Sequence, residues 1–298
     1  CAEGAALTLL HVLDAPARGA DSRPMDALEW DIQRTEAHRY LTRLVDRLQT
    51  PELRVEDHLA EGAAHERVAS VAADLGASML VLATRGDGEA ACRIGGTAHK
   101  ILELAPCPVL TMPAREGEPI AAGPLRRIFV PLDGSMRSQH VLPTVLRLAR
   151  ALKTQIVLAT AIREPERTEL LSREEDLRLA QELTKRMVRQ AEEYLARIRR
   201  QLEAGGVTAV TRVQRGPDHR AVLVEMARAE DADLTVMSAH GSNCDPRRRF
   251  GTLPSQFMAH SSCPLMVLQD LPGRPKRVAR WDASRLPSRA FDAVAGGA

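Results

Sequence analysis

The chain has 298 residues, 44% of them hydrophobic and 27% charged, with a formal net charge of +2. That is an ordinary globular mix, and the length suits about two domains. No apolar run approaches the ~18 residues of a membrane helix, and aromatics at 3% leave the core to be built from Leu, Val, Ala, Ile and Met. In chain order, an apolar β-type run over 7–13 opens the pattern. A helix over 26–49 follows, ending before Pro51. Next come a strand ending at Gly62, a helix over 65–75, a continuous apolar strand over 78–84, a glycine-bearing loop, a helix and a last strand over 109–112. Strands are then predicted at 128–132, 156–161, 207–213, 233–238 and 265–268. Between the second and third of these lies a long helix over 173–204. Its apolar positions Leu183, Met187, Ala191, Leu195, Ile198 and Leu202 recur every three or four residues. Ser172 and Glu175 form a capping box at its start, and Gly205-Gly206 its stop. A further helix is predicted over 218–230.

The second half repeats the first. Gly86 and Gly241, and Gly96 and Gly251, are each 155 residues apart. LRVEDHLAEG answers VTAVTRVQRG, SMLVLAT answers DLTVMSA, and APCPVLTM answers SSCPLMVL. Four ordered matches indicate a duplicated domain. Strands apolar throughout, alternating with helices, indicate parallel sheets covered on both faces. The second half has five strands and the first only four. The segment IFVPLDGSMRSQHVLPTVLRLARA (128–151) has no counterpart in the first half, so an N-terminally truncated domain is expected there. The domains are drawn at 1–114 and 125–270. Residues 271–298, with Lys276 and five arginines against two aspartates, read as a basic, disordered tail.

Five cysteines without a C-x-x-C read as a reduced, cytoplasmic protein. Cys107 and Cys263, each followed by proline and an apolar run, read as small buried residues rather than nucleophiles. No histidine pair has metal spacing. Walker A, G-x-G-x-x-G and G-x-S-x-G motifs are absent, and the loop after 128–132 is not the S-G-G-x-D-S type of an ATP pyrophosphatase. No catalytic residue is assigned.

Parallel sheets place ligands beyond the carboxyl ends of their strands. Gly241 allows close backbone approach after one strand, and Gly251-Thr252 opens the next helix, whose free amides make an anion site. Asp133 falls at another strand end, where a carboxylate can accept from a ribose hydroxyl. Arg247, Arg248 and Arg249 read either as solvated charges or as phosphate contacts. His240 reads either as a loop residue near phosphate or as a structural one.

These features resemble the universal stress protein family: Asp133-Gly134-Ser135 after an apolar strand, S-x2-G-x9-G-T at 238–252, A-x2-G-x9-G-T at 83–97, and Cys263-Pro264 before the last strand. The family motif has glycine where this chain has Ser238 and Ala83. The resemblance implies two tandem doubly wound α/β domains of the adenine-nucleotide α-hydrolase-like type, sheet order 3-2-1-4-5. The strand missing from the first half would then be its central one. It implies binding of ATP or a related adenine nucleotide, with or without Mg²⁺. In the second half Pro131, Asp133 and Ala161 would lie at base and ribose, and Ser238, Gly241, Gly251, Thr252 and Leu253 at the phosphates. The first-half equivalents are Val12, Ala83, Gly86, Gly96, Thr97 and Ala98. Edge pairing between the halves is expected through 109–112 and 265–268, and a homodimer is possible. The alternative is a nucleotide-free dimerisation or interaction module.

Overall fold

The structure is a computed structural model that describes residues 6–14, 27–83, 96–113, 123–164, 174–242, 250–261 and 263–269. The first half contains β1 (Ala6–Leu13), α1 (Ala27–Leu48), β2 (Arg54–Glu61), α2 (Ala64–Asp74), β3 (Leu80–Ala83), α3 (Gly96–Leu104) and β4 (Val109–Met112). The second contains β5 (Arg127–Pro131), α4 (Met136–Gln139), α5 (Leu142–Leu152), β6 (Gln155–Arg163), α6 (Glu174–Ala204), β7 (Ala209–Gly216), α7 (His219–Ala229), β8 (Leu234–Ser238), α8 (Thr252–His260) and β9 (Leu265–Leu268). Ser172 of the expected capping box, the three loop arginines and the tail lie outside the described residues. Among the described residues, no helix is long and apolar enough to cross a membrane.

The second half forms the expected parallel sheet in the order β9-β8-β5-β6-β7. β5, β6 and β8 are buried on both faces, as their unbroken apolar runs require. Ile128, Val130, Ile156, Leu158 and Val236 pack toward α5 and α6, and Phe129, Val157, Ala159 and Met237 toward α7 and α8. Asp233 Oδ2 accepts from the Arg126 and Arg127 amides at 2.7 and 2.9 Å, tying the start of β5 to the start of β8.

The two halves share one sheet. β4 joins β9 antiparallel, pairing Val109 with Val267, Leu110 with Met266 and Thr111 with Leu265. The sheet thereby becomes seven-stranded, running from β3 to β7. The expected edge pairing between halves is this junction. β1 and β2 form a separate parallel pair. Among the described residues, β1 pairs only with β2 and β3 only with β4, in keeping with a half that supplies four strands. Order 3-2-1-4-5 would put the counterpart of β5 between them.

The long helix α6 departs from its periodicity in one respect. Ala191, Leu195, Ile198 and Leu202 are buried, but Leu183 and Met187 are 57% and 39% exposed. At ~1.5 Å per residue, 31 residues outrun strands of 8 and 9 residues at ~3.3 Å each. The amino-terminal turns therefore overhang the sheet. At the other end Gly206 adopts φ +81°. Its amide donates to Glu203 O at 2.8 Å and the Val207 amide to Leu202 O at 3.4 Å, a Schellman stop that also sets Val207 against Leu202.

Cys107 and Cys263 carry free thiols; Cys107 is buried and Cys263 largely so. Burial pushes both thiols up to about 11, against the weaker opposing hydrogen bonds from Leu80 and Thr235. At pH 8 each should hold about a hundred-fold less thiolate than in the unfolded chain. Thiol labelling followed by peptide mapping should modify them rapidly in denaturant and slowly in the native protein. Rapid native labelling at Cys107 would contradict this environment.

Candidate functional site

β5, β6 and β8 run parallel, so the chain leaves all three at one edge of the sheet. Pro131 ends β5 and is buried. The Leu132 amide donates to Ala159 O at 2.8 Å, and the Thr160 hydroxyl to Leu132 O at 2.8 Å, which carries the β5–β6 register one residue past the strand. Asp133 comes next, at the exposed rim. Its Oδ1 accepts from the Ser135 amide at 3.0 Å and the Ser135 hydroxyl at 2.6 Å, and its Oδ2 from the Ser242 amide at 2.6 Å. Ser135 in turn caps α4 by accepting from the Ser138 amide at 3.1 Å. Partial burial works to raise the Asp133 pKa. Hydrogen bonds from the Ser135 hydroxyl, the Ser242 and Ser135 amides and Ser138 outweigh it, so the carboxyl titrates below its ordinary value. The carboxylate thus fastens the loop after β8 to the loop after β5.

The two glycines of that loop have different reasons to be there. A methyl group on Gly241 would overlap Asp133 Oδ2, so the glycine is what lets the Ser242 amide reach the carboxylate. Among the described residues, a methyl group on Gly251 would meet only Ala239 O, at an ordinary 3.5 Å. Their packing therefore does not demand glycine at 251. Gly251 is the N-cap of α8 with φ −81° and ψ −178°, and as glycine it brings no side chain to cap the helix. Its amide donates to Ala239 O at 2.6 Å, closing the neck of the loop. Thr252 is exposed and Leu253 half-buried. Pro254 has no amide hydrogen, so Thr252 and Leu253 supply the free donors of the first turn. Donors at a helix start, with the positive end of the helix dipole, suit an anion.

The remaining sequence-predicted residues fall into three groups. Ala161 lies half-buried near the end of β6. Ser238 ends β8, 7% exposed, and its hydroxyl is buried without a hydrogen-bond partner. It is not at positive φ, so the motif's glycine is not needed there for backbone reasons. His240 is buried. In the first half, Val12 lies in the β1–β2 pair and Ala83 at the end of β3 in the seven-stranded sheet. Gly96 and Thr97 are exposed at the start of α3 and Ala98 is buried. Gly86 lies outside the described residues. The second-half positions are thus brought to one edge, whereas Val12 and Ala83 belong to different sheets.

Sequence reasoning missed the Ser242 amide, which carries no side-chain signal. It also missed Phe250, an apolar ring immediately before Gly251 in a chain with four phenylalanines; that placement was a usable clue. Among the described residues no group of three or more His, Cys, Asp or Glu could hold a metal ion.

Gly241→Ala should push Asp133 away and release Ser242, lowering stability by about 1–2 kcal/mol. In a Gly241→Ala/Asp133→Ala background the added cost of the methyl should largely vanish; additive effects would refute the close approach. The Asp133 contribution should also follow pH. Its folded pKa lies below the ordinary value of 3.8, so the stabilisation is present above that value and is lost as pH falls through the folded pKa. Wild type should exceed Asp133→Asn by about 1 kcal/mol at pH 7, with the gap closing below pH 3.8. A gap independent of pH in denaturant titrations would count against this role.

The family model described as Universal stress protein family matches residues 2–113 and again 124–269. No curated protein matches the chain. Among solved structures, a universal stress protein from Archaeoglobus fulgidus DSM 4304 is similar over 89% of this chain and 88% of its own, with a TM-score of 0.63 and 12% identity. A putative universal stress protein from Pseudomonas aeruginosa UCBPP-PA14 is similar over 88% of this chain and 92% of its own, with a TM-score of 0.58 and 14% identity. At these identities the likeness is one of fold. The two family matches cover most of the sequence and coincide with its internal repeat, and on that ground the chain belongs to the universal stress protein family as a tandem two-domain member.

Proposed function

We propose that this is a cytoplasmic stress-response protein that binds ATP or a related adenine nucleotide in the second-half crevice as a regulatory ligand, without catalytic turnover. The observation that carries the reading is the start of α8. Its N-cap is a glycine with no side chain to cap it, it begins with the Thr252 and Leu253 amides and the exposed Thr252 hydroxyl, and at Gly251 the described residues leave room for a side chain. A glycine kept where a methyl would fit is accounted for by a ligand that needs the space. Asp133 and Ala161 lie at the ends of adjacent strands, within the same edge, where ribose and base would sit. The described residues hold no ready metal cluster, so Mg²⁺, if used, would arrive on the phosphates. Ser238 supports the reading least, because its hydroxyl is enclosed.

For the first half the observations favour the second reading, a nucleotide-free interaction domain. Among the described residues, Val12 and Ala83 sit in different sheets. There the first half contributes mainly through β4, which joins it to the second.

Calorimetry with Mg-ATP should detect one site per chain, and Gly251→Val should abolish it while leaving the circular dichroism and melting temperature close to wild type. Gly251→Ala should bind more weakly than wild type and fold normally. Absence of heat at millimolar Mg-ATP, together with no nucleotide in the purified protein, would remove the ligand from the account.

A further inference from the structure

The glycine loop of the second half does not rest on its own half alone. Phe250 is 6% exposed and shares an apolar cluster with Leu102, Ala105 and Val109 of the first half. Its ring meets that of His99 edge-on, with centroids 5.0 Å apart and planes inclined at 67°. His99 lies in the first turn of α3 and faces Glu103, Nε2 to Oε1 3.7 Å. A second link crosses nearby, where Gln269 Nε2 donates to Leu102 O at 3.3 Å. Among the described residues, the two ends of the segment between β8 and α8 are therefore held at three points. Asp133 holds Ser242, Ala239 O holds the Gly251 amide, and His99 holds Phe250. The first two belong to the second half and the third comes from the first.

We propose that α3 of the first half is part of the second half's binding site, and that His99 is a positioning residue for it. Phe250 is bonded directly to Gly251, so its ring and the first turn of α8 cannot be placed independently. An aromatic pair in edge-to-face geometry fixes orientation as well as contact. With His99 present, the donors of Thr252 and Leu253 are held ready before any ligand arrives. Without it, the Phe250 ring loses one wall at the seam between the halves. The second crevice is in this sense a two-domain site, and whatever displaces α3 changes the loop. By linkage, whatever fixes the loop also steadies α3. The geometric claim is independent of the ligand; its consequence for affinity rests on the adenine-nucleotide reading.

The test uses the full chain as wild type, His99→Ala and His99→Phe. Hydrogen exchange is measured first without ligand. His99→Ala should speed exchange at residues 250–253 several-fold, His99→Phe should restore protection, and α5 and α7 should be unchanged in both. Mg-ATP affinity is then measured. His99→Ala should weaken it about two- to ten-fold, the span of an aromatic pair, and His99→Phe should recover most of the loss. Unchanged exchange at 250–253 in His99→Ala overturns the proposal whether or not ATP binds. Faster exchange throughout the second half, α5 and α7 included, also overturns it, because His99 would then be a general structural residue. A loosened loop with unchanged affinity, in a wild type that binds ATP, overturns the positioning role. A loosened loop in a wild type that does not bind ATP supports the two-domain geometry and defeats the nucleotide reading instead.

Discussion

The antiparallel pairing of β4 with β9 is the contact on which the rest of the molecule is arranged. Each strand would otherwise end its own half as an exposed apolar edge, which invites association with other chains. Paired, they bury Val109, Leu110, Leu265, Met266 and Val267. They also place the Thr111 hydroxyl where it donates to Leu265 O at 3.3 Å across the junction. The hydrophobic clusters then run through the seam rather than stopping at it. Leu102, Ala105 and Val109 pack with Phe129, Phe250 and Phe257, while Leu110 packs with the cluster of Ile128 and Val130. The pairing also brings α3 beside the loop after β8, so that a ring from each half can meet.

The two halves use that arrangement unequally. In the second, every strand of the sheet finds partners, and β5 is fixed at both ends by carboxylates, Asp233 at its start and Asp133 beyond its close. In the first, no residue of β1 is fully buried, and Val81 on β3 is 54% exposed. Leu28, Ile32 and Tyr40 of α1 are likewise open. An amphipathic element buries its apolar side only where a neighbour covers it, and β1 and β3 each have a described partner on one side only. Rigid placement of donors therefore belongs to the second half.

Much of this was legible in the residues. The repeated glycine spacing, the unbroken apolar strands and the order of elements carried the duplication and the strand count of each half, and the family resemblance implied the pairing of the two last strands. The Gly205-Gly206 stop was legible because a left-handed residue after a helix needs glycine. What escaped were facts of three-dimensional neighbourhood. Leu183 and Met187 fit the period of α6, yet only the finite length of the strands decides that they stay exposed. Gly241 looked like a ligand glycine, but the group pressing on it is Asp133, more than a hundred positions earlier. His99 and Phe250 lie in different repeats, and neither repeat holds both sides of their contact.

Asp133 shows how one group can serve both the fold and the proposed ligand. A carboxylate offers about four acceptor positions, and three are taken by the Ser135 amide, the Ser135 hydroxyl and the Ser242 amide. Ser138 is a fourth donor beside the same carboxylate, so a ribose hydroxyl at the exposed rim would share an oxygen already engaged. Because these donors act within the protein, the carboxylate is oriented and ionised before binding, and its lowered pKa keeps it an acceptor throughout the physiological range. Ordering the loop is then a cost met largely during folding rather than during association, which leaves more of the contact energy to appear as affinity. The same logic explains why Gly241 and Gly251 are not interchangeable. Gly241 lets the protein close on its own carboxylate, whereas Gly251 leaves the start of α8 open. Under the proposed function, the first glycine serves the protein's own closure and the second is the one left for an occupant.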